Sequence, residues 1–202
     1  MHNEGNSMKD IFQMQMKLNE RTLGNIGIEF GEILADEEKK CLWLENYRKA
    51  LSSELAELVR EVQEKGLGSR NGKIEVVDIL HFLVSLSQVL GISDEEALEL
   101  CVESGPPSFY PVVIASFLAL DELQNSVKWK WWAKGGGFKR EKARNSVGAL
   151  WSCFQSLCTL FDMNGDKVKK IYMDKNRVNF MRQAKGYDED KKSEEDNESI
   201  SI

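Results

Sequence analysis

Proline is nearly absent from this chain. Three prolines occur, at 106, 107 and 111, so long helices can run undisturbed on either side of that cluster. Cysteine is scarce as well. Cys41, Cys101, Cys153 and Cys158 form no Cys-x-x-Cys pair, and His2 and His81 are the two histidines, which excludes a zinc finger or a Cys/His zinc centre. Long hydrophobic runs are missing. The stretch 79–92 is broken by His81, Ser85, Ser87 and Gln88, and 111–120 is short, so both fall below the roughly 18 apolar residues of a membrane helix. The first ten residues are polar and do not read as a signal peptide. An excess of basic charge is lacking too. Lys and Arg number 27 against 33 Asp and Glu, a net charge of −6, which argues against general binding of a nucleic-acid polymer. Together these absences predict a soluble, cytoplasmic protein with reduced thiols and no membrane partner.

What is present is a body rich in helical patterning and a polar end. The 202 residues are 42% apolar, enough for one sizeable core. Residues 188–202 hold seven acids, two lysines and, as large apolar residues, two isoleucines. The expected organisation is one domain over 1–187 and an acidic, disordered tail over 188–202. Apolar spacing predicts helices over 8–20, 37–65, 73–90, 94–103, 110–127, 139–162 and 165–185. Leu51, Leu55, Leu58 and Val62 make one face of the second of these, and Gly66, Gly68, Asn71 and Gly72 supply turn chemistry after it. Ser93 with Glu96 has the spacing of a capping box. No stretch alternates with period two, so the expected fold is all-α, a multi-helix bundle. An internal echo relates 55–82 to 120–154 and allows a duplicated helix-hairpin unit in which the first copy alone keeps its carboxylates.

Those carboxylates are the most informative feature. Glu54 and Glu57 stand at i, i+3 on one helix, with Glu61 one turn on; Glu75 and Asp78 repeat the spacing on the next helix. The second helix is apolar around most of its circumference and therefore buried, and two buried carboxylates need a cationic partner. Either basic residues from elsewhere in the core or a divalent cation meets that need. Hard oxygen ligands from two antiparallel helices suit Mg²⁺. By its spacing Glu54 borders the apolar stripe, while Glu57 and Glu61 turn toward solvent.

Near the other end, Lys175, Asn179 and Arg182 share a helix face, flanked by Tyr172 and Asn176. Such a face can grip a phosphate chain or simply be solvated. Neither a P-loop nor a Gly-x-Gly-x-x-Gly loop is present. Gln15 and Asn19, at i, i+4 on the first helix, can read the edge of a nucleobase or face solvent. His81 reads as a core histidine, and Cys153 and Cys158 as inert core residues. The run Lys128-Trp129-Lys130-Trp131-Trp132 before Gly135 can stack a base, clamp phosphates or anchor a dimer.

Taken in order, these motifs resemble the all-α nucleoside triphosphate pyrophosphatases, and within them the dimeric dUTPases more than the shorter MazG proteins. Glu54-x-x-Glu57 and Glu75-x-x-Asp78, with Ile79-Leu80-His81-Phe82 behind them, resemble the family's metal motifs. Gln15 to Asn19 is similar to its first-helix uracil-contacting segment. Lys175 to Gln183, with Gly186-Tyr187, is similar to its phosphate-binding motif. The resemblance spans about 11–187. The Trp-Lys run stands later than in the family pattern, and Tyr47 occupies the place of a tryptophan before the first metal glutamate. The resemblance implies Mg²⁺-dependent cleavage of dUTP, and of dUDP, to dUMP by a homodimer. Metal ligation and catalysis fall to Glu54, Glu57, Glu75 and Asp78. Phosphate binding falls to Lys175, Asn176, Asn179, Arg182 and Tyr187, and base binding to Gln15, Asn19, Tyr47 and Phe82. The same chemistry on dCTP or a modified nucleotide, and a non-catalytic helical interaction protein, are the competing expectations.

Overall fold

The computed structural model describes residues 2–102, 106–130, 132–184, 194–200 and 202. Among them it contains eight α-helices: α1 (His2–Gly24), α2 (Phe30–Ala35), α3 (Glu37–Lys65), α4 (Arg70–Leu90), α5 (Asp94–Glu99), α6 (Phe109–Gln124), α7 (Arg140–Leu160) and α8 (Gly165–Ala184). A 3-10 turn follows at Glu194–Ser199. No strand occurs among the described residues.

Local chemistry sets the boundaries of the helices that matter most. The Asp36 side chain accepts the Lys39 amide at 2.9 Å and starts α3, whose first turn carries Glu37 and Glu38 and whose last carries Lys65. Gly66, at φ 75°, ends it. Ser69 caps α4 by accepting the Gly72 amide at 3.2 Å, and Gly91 closes that helix in the left-handed region. Ser93 accepts the Glu96 amide, as its spacing predicts, although α5 stops at Glu99. The short α2 has no signal strong enough to read from sequence; burial of Phe30 and Ile33 holds it.

Helix α4 is the centre of the molecule, touched by α1, α3, α7 and α8. Two antiparallel hairpins, α3–α4 and α6–α7, make the largest contacts, and α1 packs along α8. The hairpins meet where Trp151 donates its indole N–H to Ser87 Oγ at 3.0 Å. Gly72 is required at the start of α4, because a Cβ there would come within 2.6 Å of the Phe161 ring. Part of the acidic tail differs from its expected disorder. Residues 194–200 lie against the body because Ile200 is buried in the core and Arg70 holds the surrounding carbonyls.

Candidate active site

The α3–α4 hairpin brings the paired acids together. Oxygen atoms of Glu54, Glu57 and Glu75 lie within 4.8 Å of one another. Glu75 is 6% exposed. Its Oε1 accepts from Asn71 Nδ2 at 2.8 Å, while its Oε2 is buried with no hydrogen-bond partner. Burial, then the charges of Asp78 and Glu57, push its carboxyl up to about 7. Hard oxygens, mutual repulsion and an unsatisfied buried oxygen fit a divalent cation held by these residues.

Asp78 takes a different partner. Lys175 Nζ stands 2.8 Å from its Oδ2, and the ammonium is 3% exposed. The sequence allowed either basic residues or a metal to meet the buried acids; Lys175 is the basic residue for Asp78. Glu61 also departs from its expected outward direction. Its residue is buried, its carboxylate accepts from Ser69 Oγ, and Lys65 Nζ lies 3.2 Å away. Burial raises its pKa, but the contacts from Ser69, Lys65 and Asn71 outweigh that, so it ends below the ordinary glutamate value. Asn71 thus stands between Glu61 and Glu75.

A cavity of about 290 Å³ opens beside these acids. Its wall carries Glu54 and Asp78, then Lys175, Asn179 and Arg182, then Gln15, Asn19, Tyr47, His81 and Phe82. Residues from α1, α3, α4 and α8 therefore converge, although they stand up to 167 positions apart. A larger cavity of about 650 Å³ beside α5 and α7 has no carboxylate among the described residues of its lining.

The deep wall is a polar network. Gln15 Oε1 accepts from Tyr172 Oη and from His81 Nδ1, both at 2.7 Å. Gln15 Nε2 donates to Asn19 Oδ1 and Ser85 Oγ, and Asn19 Nδ2 donates to Gln88 Oε1. These two amides are buried in α1 against α4, and not solvent-facing. His81 stacks on Tyr172 with ring centres 4.3 Å apart. Burial, then the Lys175 charge, lower its pKa to about 3, so the ring is neutral. Because Nδ1 donates to Gln15, Nε2 is an acceptor; it is buried and has no partner. Opposite, Trp43, Tyr47 and Phe82 form an aromatic side, with Tyr47 5.5 Å from Trp43 and 6.4 Å from Phe82.

Other expected residues lie elsewhere. Asn176 is wholly buried and does not line the cavity. Tyr187 and Trp131 lie outside the described residues. Trp129 donates to Asn125, meets Trp132 edge-on at 5.9 Å and carries Lys130 over its ring, all at the α6–α7 turn and away from the acids. Sequence reasoning missed Asn71, Ser85, Gln88 and Trp43. The first three had a signal, as polar residues on or at the edge of an apolar helix.

Fold and site together are those of an all-α protein with carboxylates and cations on one cavity wall. More narrowly, a family model described as dUTPase matches residues 7–187, and the chain belongs to the all-α dimeric dUTPase family. It is a dUTP diphosphatase by that membership. No curated protein matches the chain. No helix among the described residues is long and apolar enough to cross a membrane.

Proposed function

We propose that the chain hydrolyses dUTP, and also dUDP, to dUMP with Mg²⁺ held by Glu54, Glu57, Glu75 and Asp78. The observation that carries this reading is one cavity whose wall brings together acids, cations, amides and aromatic rings. Bound Mg²⁺ would polarise the phosphate oxygens and supply an acidified water. Lys175 and Arg182 neutralise charge that builds on the phosphate chain, and Asn179 orients it. Tyr187 belongs to this set by motif. Asp78 exchanges its Lys175 contact for the metal side of the site, which frees the ammonium for phosphate. Glu61 stays ionised and is a candidate acceptor for the water's proton.

Tyr47 and Phe82 flank the base, and Gln15 and Asn19 select it, Gln15 by fixing His81 and Asn19 by holding the Gln15 amide. An imidazole acceptor without a partner matches the ring N–H of uracil, which cytosine lacks. A second copy completes the enzyme. On α6, Tyr110, Ile114, Phe117 and Leu118 form an exposed apolar face, of a kind that marks an interface. The four free cysteines suit a reducing, cytoplasmic setting.

The test is release of pyrophosphate from each dNTP, and of phosphate from dUDP, with and without Mg²⁺. Mg²⁺-dependent turnover of dUTP above the other nucleotides is expected. Preference for dCTP overturns the base reading, and no turnover of any nucleotide overturns the catalytic one.

A further inference from the structure

The family match ends at residue 187, yet a segment beyond it reaches the catalytic end. Asn197 Oδ1 accepts from Lys175 Nζ at 3.1 Å. The same ammonium binds Asp78 at 2.8 Å. Lys175 is thus held from two sides, by an acid of α4 and by an amide of the C-terminal 3-10 turn. Asn197 does not line the nucleotide cavity, whereas Lys175 does. The amide therefore approaches the ammonium from outside that cavity and leaves a donor direction toward it.

Two anchors keep Asn197 there. Ile200 is 3% exposed and belongs to the core. Arg70 Nη2, at the first turn of α4, donates to the carbonyls of Asn197 at 3.2 Å and Ile200 at 2.6 Å. A guanidinium on backbone carbonyls makes charge-assisted bonds, which are among the stronger ones. Arg70 is next to Asn71, which binds Glu75, so the clamp sits within two turns of a proposed metal residue on the same helix. Glu61, Ser69, Arg70, Asn71 and Asn197 together line a basin of about 480 Å³ on this side.

We propose that residues 194–200 back the active site from outside its cavity, with Asn197 a positioning residue for Lys175 and Arg70 the clamp that delivers it. This rests on the reading that Lys175 serves the phosphate chain. When Asp78 turns to the metal side, Asn197 stays as the fixed acceptor of the ammonium. It holds Lys175 in place while the other two N–H donors remain for the phosphate.

The experiment uses the full chain and dUTP with Mg²⁺. Asn197→Ala raises KM about five- to tenfold, as expected for one lost hydrogen bond to a charged group, and leaves kcat within about twofold. Arg70→Ala does the same, and the double variant is no worse than either single, because both break one unit. Asn197→Asp sets a second carboxylate on the ammonium in competition with the phosphate chain and raises KM at least as much as Asn197→Ala. An unchanged KM in Asn197→Ala, additive effects in the double variant, or a lowered KM each overturns the proposal; the last makes the segment a competitor of the phosphate chain. If the unmutated chain turns over no nucleotide, the function reading itself has failed. The clamp is then read by hydrogen exchange at the Ile200 amide, which bonds Asn197 O at 3.1 Å. Arg70→Ala is expected to speed that exchange at least tenfold, and no change overturns the clamp.

Discussion

The two helix hairpins solve the same packing problem with opposite chemistry. In α6–α7 the inner face is apolar: Val113, Leu120 and Leu123 face Val147, Leu150, Trp151 and Phe154, all buried. Its acids are spent at the surface, where Asp121 accepts from Asn125 at 2.9 Å and Glu122 pairs with Lys142 at 2.5 Å. In α3–α4 the acids point inward. Glu75 and Asp78 are both buried, and burial pushes the carboxyl of Glu75 up to about 7. Packing alone never requires this, since the second hairpin packs without it. Inward carboxylates at such a desolvation penalty mark a place where the chain gives up stability for a ligand.

The comparison is broken most strongly by neutralising the inward acids. Glu57→Gln and Glu75→Gln each lower dUTP turnover on the order of 10²-fold or more, since several kcal/mol of charge stabilisation is lost. Circular dichroism and thermal melting show whether the fold survives, and wild-type turnover in either variant removes the acid cluster from catalysis. The converse substitution falls on the apolar hairpin. Trp151→Ala costs about 3–5 kcal/mol in urea unfolding, as buried aromatic truncations do, while the folded fraction keeps its KM. A loss below about 1 kcal/mol would show that the second hairpin is not the structural one.

The burial of Glu75 predicts a pH signature that the second hairpin lacks. Its folded pKa lies above the unfolded value, so its contribution is fully present below about pH 4.5 and is lost as pH rises through about 7. Without divalent ions, stability from this group therefore falls from pH 5 to pH 8, on the order of 3 kcal/mol. Mg²⁺ reverses the trend, because ligation needs the ionised form and releases its proton. The thermal shift on adding Mg²⁺ should be larger at pH 8 than at pH 6, and Glu75→Gln should abolish the difference. An equal shift at both pH values speaks against ligation by Glu75. Smallest of all, Asp121→Asn and Glu122→Gln change stability by no more than about 0.5 kcal/mol and leave turnover within about twofold. A tenfold loss of activity in either would mean that both hairpins carry function.

Much of this was legible in the sequence. The i, i+3 acids on successive helices, the second apolar all round, announced a buried charged site. The span of α3 followed from its apolar face and the turn residues from Gly66 onward. Less was legible where two distant segments decide a side chain's surroundings. Gln15 and Asn19 look like surface amides until α4 supplies Ser85 and Gln88. Glu61 follows the outward face of its helix until Ser69 folds back over it. The tail has the composition of a disordered segment, and a single isoleucine with one arginine 130 residues away holds 194–200 in place.

The sequence by itself determined every helix but α2, their order and the residue types available for chemistry, because periodicity, capping and the scarcity of proline act over a few residues. Tertiary structure decided which acid meets Lys175, which amides are buried and which cavity they share. Those outcomes depend on burial and on partners brought from α1, α4, α8 and the C-terminal turn, and no local pattern encodes the distance between them.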